Sequence, residues 1–250
     1  MAEKTSIEWA DATWNPVTGC TKISSGCKNC YAERLAERFR GVEGHYYENG
    51  FDVRLRPEKL EEPLRWKKSK RIFVCSMSDL FHKHIPEDFR ARIFETMEKA
   101  EHHKFLLLTK RPKSMYLFLK ERYCRGRLDW PIPSHFWCGT SIENQRTAPR
   151  ARELCWLPRY LVKFLSLEPL LEDVADEIWM DDIRWVIVGG ESGPGARPMH
   201  PDWVRAIRDR CLTGERKNRK SFFFKQWGGA QKKKTGRLLD GREWNEIPLT

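Results

Sequence analysis

Short apolar stretches recur along this chain at roughly regular intervals, and each of them ends in polar or glycine residues. They are Arg71–Asp79, Lys104–Pro112, His135–Asn144, Tyr160–Pro169, Trp185–Gly193 and Ser221–Gly229. Near-continuous apolar runs of this length are typical of parallel strands whose two faces are both buried. The pattern therefore predicts a series of parallel strands with polar tips.

Segments with helical periodicity separate these strands. They are Pro86–His102, Ser114–Tyr123, Asn144–Trp156 and Pro201–Leu212. In the first of them Phe89, Ile93, Phe94 and Met97 follow each other at steps of three and four, which places them on one helical face. Alternation of strand and helix predicts βα units.

A series of βα units with polar strand tips indicates an α/β fold, a full or partial (β/α) barrel of the TIM type. In such barrels the reactive groups lie on loops at the carboxyl ends of the strands. A doubly wound open sheet is the rival architecture. We expect one domain over residues 1–250, in which residues 228–250 form a small C-terminal hairpin extension around Asp240 and Gly241.

The charge balance is strongly basic, with 46 Lys and Arg against 35 Asp and Glu and a formal net charge of +11. Such an excess suggests a polyanionic partner such as DNA or RNA. A basic run such as Arg65–Arg71 is also compatible with a solvated loop. No apolar run approaches the roughly 20 residues that cross a bilayer. We therefore expect a cytoplasmic protein with no membrane partner.

Cys20, Cys27 and Cys30 lie within eleven positions. In a reducing compartment, clustered cysteines bind metal more often than they pair as disulfides. A closed zinc site needs four donors, and His45 or Cys75 could be the fourth. The spacing is equally compatible with a 4Fe–4S cluster that has three protein ligands and one open iron. An open iron can chelate S-adenosylmethionine and start radical chemistry. Unliganded thiols are the third alternative.

Five motifs together resemble a phage and bacterial family, the phage gene-product thirty-seven/sixty-eight family. They are Trp14–Glu33, Leu106–Pro112, Phe164–Leu171, Trp185–Met199 and Phe222–Gly229. The resemblance implies a three-cysteine motif, a distant similarity to radical S-adenosylmethionine enzymes, and a separately encoded partner protein. The chain departs from the usual radical-enzyme pattern, because six residues separate Cys20 from Cys27 and the aromatic Tyr31 follows Cys30. The commoner radical enzymes also carry a Gly-Gly-Glu-like stretch near the second strand, where it binds the amino group of the cofactor's methionine. In this chain the corresponding residues, Gly189–Glu191, follow a late strand instead.

The strand tips supply the other candidate site residues. Serine and acidic side chains can receive the amino group or ribose of a nucleoside cofactor, a Thr-Lys-Arg tip can hold an anion, and glycines let the main chain approach a ligand. Cofactor-binding candidates are Ser76, Ser78, Asp79, Thr109, Arg111, Glu143, Asn144, Gly189, Gly190, Glu191 and Ser192. Catalytic candidates are Lys110, Glu168 and Lys225, which can move protons or bind charge. The metal ligands are Cys20, Cys27 and Cys30.

These features predict an iron–sulfur, radical-S-adenosylmethionine-like enzyme that acts on a nucleic acid or a nucleotide, by base modification or lesion repair. The alternative is a non-catalytic nucleic-acid-binding adaptor, stabilised by zinc or an iron–sulfur cluster, that works with a partner enzyme. No Ser/His/Asp order, Walker loop or H-E-x-x-H motif occurs, so hydrolytic functions have no support.

Overall fold

The computed structural model describes residues 5–126, 130–213 and 219–249. In these ranges, seven strands form one sheet in which all neighbouring strands are parallel. Its strands, in spatial order, are β1 (Ala12–Trp14), β4 (Arg71–Val74), β5 (Lys104–Thr109), β6 (Phe136–Ser141), β7 (Lys163–Leu167), β8 (Trp185–Gly189) and β9 (Ser221–Gln226). Strands β2 (Val17–Thr18) and β3 (Arg54–Leu55) form a separate antiparallel pair. The six predicted strands are confirmed.

The spatial order of the strands decides between the two predicted architectures. A doubly wound sheet reverses its strand order at a switch point, whereas this sheet runs in one direction from β1 to β9. In the described part of the chain β1 and β9 are the two edges, so the sheet is an open, partial (β/α) barrel. Strand β1 was not predicted, because three residues are too few to show a periodicity.

Four helices lie between the strands as predicted, namely α2 (Glu87–Lys99), α3 (Pro112–Leu119), α4 (Arg150–Leu154) and α5 (Pro201–Leu212). Two more helices are α1 (Tyr31–Glu37), which follows the clustered cysteines, and α6 (Lys232–Thr235), which follows the last strand β9. The predicted apolar face of α2 is confirmed, since Phe89, Ile93, Phe94 and Met97 are all buried. The predicted helix Asn144–Trp156 is shorter than expected, because Pro149 cannot continue a helix and α4 begins after it.

Two apolar clusters lie on opposite faces of the sheet. The outer cluster packs the helices against the strands and includes Phe94 of α2 and Val204 of α5. The inner cluster consists of Trp9, Ala10, Phe73, Leu106, Trp137, Val162, Phe164, Trp185, Ile187 and Phe223. None of its members belongs to a helix, so the inner face of the partial barrel is filled by side chains from the strands and by the segment around Trp9.

The C-terminal hairpin forms around the predicted turn. Asp240 and Gly241 have φ angles of 51° and 79°, the left-handed pair that a tight two-residue hairpin requires. Leu239 and Arg242 form an antiparallel bridge across the turn, and Asn245 bridges to Phe223 of β9. The hairpin therefore packs against the last strand. No helix in the described ranges has the length and apolar character needed to cross a membrane.

Candidate functional site

A cavity of about 590 Å³ lies at the carboxyl ends of the strands. Side chains that follow β4, β5, β7, β8 and β9 all contribute to its wall, as the barrel prediction required. All the predicted site residues line this cavity except Glu143, Asn144 and Gly189. The size is within the range of about 300–1,000 Å³ that holds a drug-sized ligand.

The three clustered cysteines line this cavity together. Cys20, Cys27 and Cys30 belong to the segment Gly19–Cys30, here called the cysteine loop, and all three are half-buried free thiols. Cys30 directly precedes α1. Burial, and to a smaller degree the Asp79 carboxylate, raises the pKa of the Cys20 thiol to about 11. At neutral pH this thiol is therefore protonated when nothing binds it.

Two of the three sulfurs have a polar neighbour that suits an iron–sulfur cluster. Arg111 Nη1 lies 3.7 Å from Cys20 Sγ, and Ser24 Oγ lies 3.7 Å from Cys27 Sγ. Hydrogen bonds to the sulfurs orient such ligands and tune the metal. The residues present therefore fit the predicted cluster.

The zinc alternative requires donors that converge on one ion. Among residues 5–126, 130–213 and 219–249, no three His, Cys, Asp or Glu side chains surround a point where one metal ion could bind. A cluster does not need this convergence, because each thiolate binds a different iron. In the described ranges, neither the three cysteines nor the other donors that the sequence suggested converge on one point.

A buried carboxylate, Glu143, anchors the middle of the cysteine loop. It forms ion pairs with Lys110 and with Arg150 Nη1, the latter at 3.0 Å, and accepts a hydrogen bond from Ser24 Oγ at 2.9 Å. A Cβ on Gly26 would lie 2.3 Å from Glu143 Cγ, so only glycine fits there. Burial alone would raise the pKa of the Glu143 carboxyl, but the two cations lower it. Glu143 is therefore ionised and packed directly against the loop.

A second carboxylate, Glu191, anchors the other end of the loop. Asn29 Nδ2 donates to Glu191 Oε2 at 2.8 Å, and Arg197 binds Glu191 while its Nη2 donates to the Ser25 carbonyl at 2.9 Å. Burial would raise the pKa of Glu191, but the hydrogen bonds from Arg197 and Asn29 lower it to about 2. Asn144 Nδ2 also donates to Ser25 Oγ at 2.9 Å. The loop is thus held from the tips of β6 and β8.

Asp79 connects the tips of β4 and β5. Its carboxylate accepts a hydrogen bond from Thr109 Oγ1 at 2.7 Å and pairs with Arg111 Nη1 at 2.7 Å. The neighbouring serines also have protein partners, since Ser76 Oγ bonds to the Asn15 amide and Ser78 Oγ donates to the Val17 carbonyl. Asp79 therefore fixes the Arg111 guanidinium that faces Cys20.

Glu168, which follows β7, and Lys225 of β9 form an ion pair across β8, the strand between them. Lys225 Nζ lies 2.6 Å from Glu168 Oε1, and both side chains line the cavity. Gly189 of β8 lies between them, and a Cβ there would be 3.3 Å from Glu168 Cδ. Two of the predicted catalytic residues are thus brought together, while the third, Lys110, is bound to Glu143. The pair lies where a proton could be exchanged with a bound molecule.

Several residues of this site were missed from the sequence. Ser24, Asn29 and Arg150 bind the two anchoring carboxylates, and Trp9 and Phe73 line the lower part of the cavity. The contacts of Ser24 and Asn29 join residues 119 and 162 positions apart. No short-range pattern could have shown them, although Ser24, Ser25 and Asn29 of the loop are side chains that can donate to nearby acidic groups.

Comparisons with known proteins identify a family and a weak structural similarity. A family model described as "Protein of unknown function (DUF5131)" matches residues 4–248. The fold is similar to spore photoproduct lyase complexed with dinucleoside spore photoproduct, with a TM-score of 0.38, 12% identity and coverage of 78% of this chain and 58% of that chain. A mutant of that lyase with bound AdoMet and dinucleoside spore photoproduct has a TM-score of 0.41, 12% identity, and 79% and 60% coverage. This chain therefore spans about three fifths of those structures. No curated protein sequence matches it.

Proposed function

This chain belongs to the family described as a protein of unknown function, DUF5131, and we propose that it is an iron–sulfur enzyme of the radical S-adenosylmethionine kind. One observation carries the proposal: three free thiols line a single cavity at the carboxyl ends of a partial barrel. The sequence motifs that resemble the phage gene-product family support the same function. Membership of that phage family stays a prediction.

Cys20, Cys27 and Cys30 would hold three irons of a 4Fe–4S cluster. When bound, the cluster supplies an open iron for S-adenosylmethionine and the electron that cleaves it. Arg111 would donate a hydrogen bond to the sulfur of Cys20. The chain's own contribution would therefore be three thiolate ligands and a guanidinium donor next to one of them.

The anchoring contacts change the role proposed for three predicted cofactor-binding residues. Glu143, Asn144 and Glu191 make their contacts with the cysteine loop, so we assign them to positioning that loop. The Glu168–Lys225 pair faces the cavity and remains able to hold or exchange a proton with a bound molecule. Ser76, Ser78, Asp79 and the glycine tip of β8 stay the predicted cofactor-binding wall.

The proposed substrate is a nucleic acid or a nucleotide. The net charge of +11 supports a polyanion, because a basic surface attracts phosphates over a distance. Base modification or repair of a lesion is the class of reaction that matches radical chemistry at such a substrate. A separately encoded partner protein remains part of the proposal.

Cleavage of S-adenosylmethionine tests this function. The full chain, reconstituted anaerobically with iron and sulfide and given a reductant, is expected to cleave S-adenosylmethionine. Cys27→Ala is expected to lose this activity, because one iron loses its ligand. Cys155→Ala is the matched control, since Cys155 is a half-buried free thiol on the end of α4, away from the cavity.

Two results would contradict the proposal. Equal cleavage by wild type and Cys27→Ala would show that the cysteine loop has no part in the reaction. A wild-type chain that carries its cluster but never cleaves S-adenosylmethionine, and that binds DNA with steep salt dependence, would instead favour the adaptor function.

A further inference from the structure

Two serines line the cavity between the inner cluster and the strand tips. Neither has a role in the site described so far. Ser141 ends β6 and Ser166 lies on β7, and both line the cavity. They are register partners on adjacent parallel strands, so their backbones lie about 4.8 Å apart. The two side chains therefore form a neighbouring pair.

Strand alternation shows which way these serines face. Trp137 and Phe164 belong to the inner cluster, and successive residues of a strand point to opposite faces. Ser141 and Ser166 follow them at even steps on the same strands, so both hydroxyls face the inner side. This is the side on which Trp9, Phe73 and Leu108 line the cavity.

Both serines are almost completely buried, with 6% and 2% of their surface exposed. In the part of the chain that the structure describes, neither side-chain hydroxyl takes part in a hydrogen bond, although the Ser141 carbonyl accepts one from Arg150. Neither hydroxyl oxygen is sealed from solvent, because both open onto the cavity. Two adjacent hydroxyls that face a cavity and have no protein partner are free to hydrogen-bond a molecule that enters it.

The surroundings of the serines define what that ligand is. Trp9 and Phe73 pack with their ring centroids 4.7 Å apart and, with Leu108, give the cavity an apolar wall of rings and branched carbons. The lysines that line the cavity, Lys22, Lys110 and Lys225, are each paired with a carboxylate. This part of the cavity therefore offers two hydrogen-bonding hydroxyls and an apolar wall, and among the described residues it has no unpaired lysine. Such surroundings suit a neutral planar ring better than a phosphate.

We propose that the section bounded by Trp9, Phe73, Leu108, Ser141 and Ser166 binds a nucleobase, with its ring against the apolar wall and its polar edge on the two hydroxyls. A hydroxyl both donates and accepts, so a pair of them can match adjacent donors and acceptors on a base edge. The inference rests on the proposed action on a nucleic acid or nucleotide, and it names the part of that substrate which enters the cavity. The base can come from the substrate or from the adenine of the cofactor.

Equilibrium dialysis of the full chain with adenosine, thymidine, cytidine and guanosine tests this site. Wild type is expected to bind at least one of these nucleosides, and the double variant Ser141→Ala/Ser166→Ala to bind it about tenfold or more weakly, since two hydrogen bonds are lost. Ser114→Ala, an exposed serine of α3, is the matched control and is expected to bind like wild type. Inorganic phosphate is expected not to compete.

The same experiment with saturating S-adenosylmethionine distinguishes the two sources of the base. Unchanged nucleoside binding assigns the site to the substrate, whereas displacement assigns it to the adenine of the cofactor. Equal affinity in wild type and the double variant, or no nucleoside binding by wild type, overturns the inference. Iron content is measured on the same samples after anaerobic reconstitution with iron and sulfide. A full cluster without nucleoside binding then refutes this inference alone, and nucleoside binding by a reconstituted chain that holds no iron refutes the proposed cluster chemistry.

Discussion

Glu143→Ala is expected to lower the free energy of unfolding by about 3–5 kcal/mol, the cost of removing one partner from a buried ion pair. The Glu143 side chain is fully buried, and its loss leaves the largely buried cations of Lys110 and Arg150 without their carboxylate. The cysteine loop also loses its contact through Ser24. We therefore expect iron content after reconstitution to fall together with stability.

Urea unfolding of the metal-free chain measures the stability part of this prediction. Glu143→Gln separates charge from volume, because the amide can still accept from Ser24 but no longer neutralises the two cations. Glu243→Ala is the matched control, since Glu243 is half-exposed and pairs with Arg237 at 3.9 Å; a surface pair of this kind contributes about 0–1 kcal/mol. A loss of less than about 1 kcal/mol in Glu143→Ala would show that this carboxylate does not hold the loop.

Gly19→Ala is expected to abolish cluster binding, whereas Gly41→Ala is expected to leave it intact. The two glycines have nearly the same backbone conformation, with φ angles of 83° and 79°. A Cβ on Gly19 would lie 2.1 Å from the backbone oxygen of Asp52, but a Cβ on Gly41 would have nothing within 4 Å. Both variants bear the left-handed strain of about 1–2 kcal/mol, and only Gly19→Ala must also displace the backbone next to Cys20.

Iron content after anaerobic reconstitution and urea unfolding of the metal-free variants together check this pair. Gly19→Ala is predicted to unfold at clearly lower urea concentration than Gly41→Ala and to bind as little iron as Cys20→Ala. If both glycine variants keep the same stability and the same iron content, the approach of the chain at Gly19 does not determine where Cys20 lies.

Strong local patterns in the sequence were sufficient to predict most of the fold. The six longer strands and α5 at Pro201–Leu212 follow from apolar runs and from prolines at helix starts. Strand β1 was missed because it has three residues, and its place in the sheet depends on pairing with β4 rather than on its own pattern. Such an element is fixed by tertiary contacts that no local window contains.

The sequence was sufficient to predict that the strand tips lie together, but not which of their side chains contact each other. The sequence predicted that the strand tips lie together at the carboxyl ends of the strands. The residues after β4, β5, β7, β8 and β9 do line one cavity there. The sequence could not show that Glu143 and Glu191 contact the cysteine loop, because these contacts join distant parts of the chain. For the same reason, the inner serines Ser141 and Ser166 looked like ordinary strand residues.

Metal analysis of the anaerobically purified full chain tests the central claim most directly. We predict about four irons and four sulfides per chain with a broad absorbance near about 400 nm, as thiolate-bound clusters show. Alanine at Cys20, Cys27 or Cys30 should remove this signal, and Cys75→Ala should retain it. A chain that binds one zinc ion and no iron under these conditions would contradict the assignment of the three thiols to an iron–sulfur cluster.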